Sequence, residues 1–222
     1  MNILIVGKPA DAEACREKLG QHNYQLAMSH VEAEEWLSKS ELVFDFLTSD
    51  HPESIAHYAG RPVTAFLNTW RTTLLGLTHS VARPLQCHLF GFNGFPTMFN
   101  REYLEVSLLQ SDENVLKEVC DRIGTQYLLV DDRVGFVTPR VVCMIINEAY
   151  YTVQEGTANR EDIDVAMKLG TNYPFGPFEW CKRIGVKNVY RLLEAVYEDT
   201  KDERYKISAL MKKEFLNESI RP

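Results

Sequence analysis

The sequence predicts an α/β unit, with a parallel sheet and helices on both faces, followed by an all-α unit. Three observations support this. Up to residue 133, apolar runs of strand length alternate with segments of helical period, the pattern of successive βαβ units. From residue 134 to 155 one helical pattern runs unbroken through Val137, Val141, Ile145, Ala149 and Val153. Everything downstream reads as helices joined by Gly and Pro turns. The chain accordingly divides into residues 1–133 and 134–222, with the boundary near 131–133.

Taken in order, residues 2–6 (NILIV) are a strand that stops at Gly7, and Ala12, Cys15 and Leu19 mark the inner face of a helix closed by Gly20. Residues 24–28 form a second strand, 31–37 a helix, 42–47 a buried strand, 52–58 a helical turn and 63–67 another strand. Residues 74–77 are a short helix, 87–92 and 103–109 strands, 112–123 a helix, and 127–130 the last strand. No internal repeat or low-complexity tract interrupts the series.

Composition narrows the class of function. With 222 residues, 45% hydrophobic and 25% charged, the chain has the make-up of a folded globular protein. Its net charge of -7, without a Lys/Arg cluster, would repel a phosphate backbone or an anionic bilayer, so neither nucleic acid nor membrane is an expected partner. No apolar stretch approaches the roughly 20 residues that span a bilayer, and MNILIV leads straight into polar sequence without a cleavage site. A cytoplasmic location is expected. Cys15, Cys87, Cys120, Cys143 and Cys181 are odd in number, widely spaced and without a C-x-x-C pair, which fits thiols that fill cores and no metal site.

In the second half stand Gly135-Phe136, Asn147-Glu148-Ala149, Glu155-Gly156, Glu161-Asp162-Ile163-Asp164, Ala166-Met167, Leu169-Gly170 and Gly176-Pro177-Phe178-Glu179. In this order and spacing they resemble the start of the C-terminal domain of the 3-hydroxyacyl-CoA dehydrogenases. Gly156 is suited to end the long helix, Asn159 to cap the next, and Gly176-Pro177 to fix a turn before another. The first half is similar through Asn68-Thr69, through Arg83-Pro84 leading to GFNGFPTM, and through Leu104-Glu105-Val106. The resemblance implies a shortened Rossmann-like domain, without a helical excursion after the second strand, followed by a domain of the 6-phosphogluconate dehydrogenase C-terminal-like type. It also implies a homodimer formed through residues 134–222, an acyl-CoA cleft, and the family reaction, NAD-dependent interconversion of 3-hydroxyacyl-CoA and 3-ketoacyl-CoA in fatty-acid metabolism.

Residue by residue, the family's site is altered. A dinucleotide loop needs G-x-G-x-x-G after the first strand; here Gly7-Lys8-Pro9-Ala10-Asp11-Ala12 keeps only the first glycine, with Lys8 as the one cation. Pro9 removes an N–H, and Asp11 and Glu13 put negative charge where an anion should be drawn. Met28-Ser29-His30 stands where an acid should hold the ribose, and Glu32 and Glu34 beyond it read as a solvated helix face. The resemblance puts the family's histidine base at Gly91, when aligned on Arg83-Pro84, and its orienting carboxylate at Glu105, with about two extra residues between them. It puts a substrate-binding serine at Trp70 and an asparagine at Pro139.

Asn68, Thr69, Trp70, Asn93, Asn100 and Arg71 remain candidate ligand contacts, Gly7 and Lys8 the cofactor contacts, and no metal is expected. His88 lies an odd number of residues from Gly91 and so on the opposite strand face. His22, His30, His51, His57 and His79 read as surface or satisfied histidines. The expectation is a family member that has lost the usual catalytic residues and keeps a ligand-binding or regulatory role. An active NAD-dependent dehydrogenase with a relocated base, and a purely structural dimer, are the alternatives.

Overall fold

The computed structural model describes residues 1–81, 85–109 and 113–220. Arg83-Pro84, the start of the 112–123 helix and the last two residues lie outside them. Two compact units result, Met1–Phe136 and Val137–Pro222.

The first unit contains β1 (Asn2–Val6), α1 (Pro9–Leu19), β2 (Asn23–Ala27), α2 (His30–Leu37), β3 (Leu42–Asp45), a 3-10 turn (Pro52–His57), β4 (Thr64–Asn68), α3 (Leu74–His79), β5 (His88–Phe92), β6 (Tyr103–Leu108), α4 (Glu113–Arg122) and β7 (Gln126–Leu129). The strands form one sheet in the order β2-β1-β3-β4-β5-β6-β7. The inner strands are apolar on both sides because both sides are covered. On one face α1 and α4 bring Cys15, Leu19, Leu116 and Val119 onto Ile3, Ile5, Phe44, Phe66 and Phe90. On the other, α2, the 3-10 turn and α3 bring Leu37, Tyr58, Leu74 and Leu77 onto Leu4, Val43 and Leu67. The phenylalanines of the first face form a ladder, Phe44 stacking on Phe66 at 4.8 Å and meeting Phe92 edge-on at 5.6 Å.

Two differences from the expected pattern have local causes. The sheet is not wholly parallel: β5 pairs antiparallel with β6, while β6 and β7 are parallel. Residues 93–102 join β5 to β6 without a helix, and a connection that short returns the chain antiparallel, whereas α4 carries the crossover from β6 to β7. The long helix also begins later than its periodicity suggests. Gly135 and Phe136 adopt φ values of 85° and 49°, in the left-handed region, and α5 (Thr138–Gln154) starts with Pro139 in its first turn.

The second unit is α5, α6 (Arg160–Thr171), α7 (Pro177–Ile184), α8 (Val186–Thr200), a 3-10 turn (Glu203–Tyr205) and α9 (Ala209–Ile220). Its core runs through Val142, Cys143, Ile146 and Tyr150 of α5, Cys181 and Ile184 of α7, Val189, Leu192, Leu193 and Val196 of α8, and Met211 of α9. Gly156 ends α5 at φ 76°, and Asn159 caps α6, its Oδ1 accepting from the Asp162 N–H at 2.9 Å. All five cysteines are free, and four of them are buried. Burial pushes Cys120 up to about 12 and Cys181 up to about 11, so these thiols stay protonated and inert at neutral pH.

Candidate functional site

In open α/β sheets ligands bind outside the carboxyl ends of the strands, at the point where strand order reverses. Here that point lies between β1 and β3, because the chain goes from β1 to β2 on one side and then to β3 on the other. Three groups of residues fall on this edge of the sheet.

The first is the loop after β1. Gly7 donates its N–H to the Ala27 carbonyl at 2.9 Å. Lys8 donates its backbone N–H to Asp11 Oδ2 at 2.7 Å. A Cβ on Gly7 would lie 2.7 Å from that same oxygen, so the Asp11 carboxylate lies directly against the glycine. At the end of β2, Glu32 reaches back from the first turn of α2 and accepts from the Met28 N–H at 2.8 Å, while Ser29 Oγ accepts from the Glu32 N–H. Glu32 is thus a cap, not a freely solvated charge.

The second group was not visible in the sequence. His30, His51 and His57, each read alone as a bland turn histidine, come together beyond β3. His30 stacks on His57 at 5.6 Å between ring centroids and meets His51 edge-on at 6.0 Å. His30 Nε2 lies 2.8 Å from Asp45 Oδ2, which also accepts from the Tyr58 hydroxyl at 2.8 Å, and Asp45 Oδ1 accepts from the Leu47 N–H at 2.8 Å. Asp45 is wholly buried, so these donors replace the water it lost. Burial first, and then the Asp45 charge, push the Tyr58 hydroxyl well above its ordinary range, so it remains a donor. His57 pairs with Glu34, which Arg61 also holds at 2.5 Å. The hydrogen bond from His57 and the guanidinium of Arg61 hold the Glu34 carboxyl below its usual value. Among the described residues no set of His, Cys, Asp or Glu side chains has the arrangement to hold a metal ion.

The third group lies where β4, β5 and β6 meet, and holds most of the predicted substrate contacts. The pairing of Gly91 with Ser107 and of Phe92 with Val106 brings Asn93 opposite Glu105. Their backbones bond, Asn93 N–H to Glu105 O at 3.0 Å, and Asn93 Nδ2 donates to Glu105 Oε2 at 3.3 Å. Both are buried. Gly91 sits two residues earlier, and a Cβ there would strike Ser107 Oγ and come within 2.6 Å of Thr69 Oγ1. Any side chain at that position must displace the Ser107 and Thr69 hydroxyls. Asn68 braces the loop after β5: its Oδ1 accepts from the Gly94 N–H at 3.0 Å and its Nδ2 donates to the Phe46 carbonyl at 3.2 Å. Trp70 is buried edge-on against Phe95 at 5.1 Å. Arg71 is engaged by Asp50 at 2.7 Å and Asn100 by Glu17 at 2.8 Å, both on the surface. His88 opens β5 as an exposed residue, and its neighbours Leu89 and Phe90 face opposite cores. Pro139 is buried in the second unit as the opening of α5.

Comparison with known proteins places the second unit. Residues 135–220 match the family described as 3-hydroxyacyl-CoA dehydrogenase, C-terminal domain. This half therefore carries the C-terminal domain of the 3-hydroxyacyl-CoA dehydrogenase family. The chain is 42% identical over 96 residues to the 3-hydroxyadipyl-CoA dehydrogenase of Escherichia coli (strain K12), covering 43% of this chain and 20% of that protein. It is 33% identical over 144 residues to the probable 3-hydroxybutyryl-CoA dehydrogenase of Bacillus subtilis (strain 168), covering 64% of this chain and 49% of that protein. The chain thus spans half or less of these curated relatives. The solved (S)-3-hydroxybutyryl-CoA dehydrogenase of Ralstonia eutropha superposes with a TM-score of 0.75 at 20% identity, over 98% of this chain and 94% of that one, a likeness of fold.

The 3-hydroxyacyl-CoA dehydrogenase motif has a structural explanation in this chain. Asp164 accepts from the N–H groups of Phe178 and Glu179 at 2.8 and 3.1 Å, capping α7 from the neighbouring helix. Gly176 leaves room for it, since a Cβ there would strike the Asp164 carboxyl. Glu179 closes the turn by accepting from the Gly176 N–H at 3.0 Å, and Lys168 bonds its other oxygen at 2.6 Å. Asn147 holds the approach to α9, donating to Lys206 O at 2.8 Å and accepting from the Ser208 N–H at 3.0 Å. These motif residues specify the fold.

Proposed function

We propose that this chain is a non-catalytic member of the 3-hydroxyacyl-CoA dehydrogenase family, retaining a ligand-binding or regulatory role and assembling as a homodimer through its helical unit. One observation carries the reading: Glu105 accepts from the side-chain amide of Asn93. The resemblance assigns Glu105 to orient a histidine that takes the 3-hydroxyl proton. An asparagine amide in that place neither accepts nor releases a proton at neutral pH, so it can position a group but cannot act as the base. Gly91, the other candidate position, is closed by Ser107 and Thr69. Trp70 adds bulk where the resemblance expects a substrate-binding serine.

An acyl-CoA is the ligand class that the family suggests, and fatty-acid metabolism in the cytoplasm the setting. No described helix is long and apolar enough to cross a membrane. A second copy of the chain is the partner that the helical unit favours. Exposed apolar pairs recur one helical turn apart, Val165 with Leu169 on α6 and Leu216 with Ile220 on α9, with Val141 exposed on α5. The test of the binding role is a titration of tryptophan emission with acetoacetyl-CoA, with Trp70→Phe to assign the signal. A saturable change supports a retained cleft, and a flat response reduces the chain to a structural dimer.

A further inference from the structure

The loop after β1 bears on a separate question, which cofactor the first unit accepts. A Rossmann-type turn holds pyrophosphate with free N–H groups at the start of the first helix, helped by the positive end of the helix dipole. In this chain most of those donors are already committed. Gly7 N–H bonds Ala27 O at 2.9 Å, Asp11 N–H and Ala12 N–H bond Lys8 O at 3.0 and 3.3 Å, and Pro9 has no N–H to offer. The Lys8 N–H goes to Asp11 Oδ2 at 2.7 Å. The residues present therefore do not fit a dinucleotide pyrophosphate.

We infer that Asp11 is the loop's own anion: its carboxylate takes the ground over Gly7 that a cofactor phosphate needs, and it keeps a dinucleotide pyrophosphate off the loop after β1. Gly7 leaves room for it, because a Cβ at position 7 would lie 2.7 Å from the carboxylate oxygen. Burial raises the Asp11 carboxyl, against the lowering by the Lys8 N–H and charge, so the group is already short of solvation. A second anion beside it would have to displace the carboxylate and meet its charge.

This extends the non-catalytic reading from the missing base to the missing cofactor, and it is tested by binding, which does not depend on turnover. NADH and ADP are titrated calorimetrically into the full-length protein and into Asp11→Gly and Asp11→Asn, with circular dichroism confirming that each is folded. The wild type should show no saturable binding up to about 1 mM, the upper end of ordinary enzyme affinities. Asp11→Gly frees the Lys8 N–H and should bind ADP at least about tenfold more tightly, as removal of an adjacent like charge predicts. Asp11→Asn keeps an acceptor while removing the charge and should gain less, yet measurably. Should Asp11→Gly fail to fold, the gain by Asp11→Asn decides. Saturation of the wild type by NADH overturns the inference and leaves the non-catalytic reading standing if no oxidation follows. Absence of gain in every folded variant also overturns it, since the carboxylate would not be what excludes phosphate.

Discussion

Asn93 Nδ2 donates to Glu105 Oε2 at 3.3 Å, one residue pair beyond the last bridge between β5 and β6. The side-chain bond repeats the backbone bond beneath it, Asn93 N–H to Glu105 O, so the strand register and the polar pair hold each other. Asn93 Oδ1 also accepts from the Phe95 N–H at 3.1 Å, which fixes the start of the loop. Removing the carboxylate leaves a buried amide short of a partner, a loss of about 1–3 kcal/mol. Glu105→Ala should lower the melting temperature by several degrees, at about 2–4 °C per kcal/mol for a chain of this size. Glu105→Gln, which keeps an acceptor, should cost less. Unchanged melting in Glu105→Ala would show that the pair does not brace the loop.

Gly91 makes a steric prediction. A methyl carbon at this position would strike Ser107 Oγ and stand 2.6 Å from Thr69 Oγ1, so even Gly91→Ala must turn these hydroxyls away or part the strands. Overpacking of this kind costs about 1–3 kcal/mol, so Gly91→Ala should melt several degrees low and Gly91→His should be poorly soluble or unfolded. Chemical denaturation of the two variants checks this. A stable Gly91→His protein would mean that the space between these strands opens easily.

The carboxylate of Glu34 predicts a pH dependence. His57 and Arg61 hold it below its ordinary value of 4.5. A depressed carboxylate contributes stability above its unfolded value, and that contribution is lost as pH falls through the folded value. The wild type should therefore lose more stability than Glu34→Gln between neutrality and pH values below 4.5, with the two curves converging in acid. Because Glu34 is more than a third exposed, the difference is expected to be small and weakened by salt. Parallel curves across the whole range would show that the ion pair adds nothing to stability.

Assembly through the helical unit is the fourth prediction. Leu169 is 83% exposed, and Val165 lies one turn before it on α6. Val165→Glu with Leu169→Glu should shift sedimentation from dimer towards monomer while leaving the far-ultraviolet circular dichroism unchanged. A wild type that sediments as a monomer at micromolar concentration would contradict the proposed dimer.

Much of the fold was legible because it follows local rules. Continuous apolar runs such as NILIV and the helical spacing of Ala12, Cys15 and Leu19 specify elements without reference to distant residues. The antiparallel turn of β6 depended on the absence of a helix in residues 93–102, and the true start of α5 on two left-handed residues that periodicity cannot register. The candidate site was less legible for a related reason. Alignment from Arg83-Pro84 leads to Gly91, whereas cross-strand register sets Asn93, two residues on, against Glu105. The histidine cluster brings His51 and His57 to His30 through the ends of separate elements, which no spacing rule predicts. Asp11 was visible as a charge at a helix start, but only its bond to the Lys8 N–H shows that the chain supplies its own anion.

The proposed loss of the family's base is tested most directly by single-turnover mixing. Wild-type protein in molar excess over both NADH and acetoacetyl-CoA is incubated near neutral pH while absorbance of the reduced cofactor is followed against a protein-free control. The expected result is loss of NADH at the control rate, with no pH-dependent step in the range where a histidine titrates. Oxidation faster than the control, abolished by Glu105→Ala in a folded protein, would contradict the claim and make this chain a working dehydrogenase.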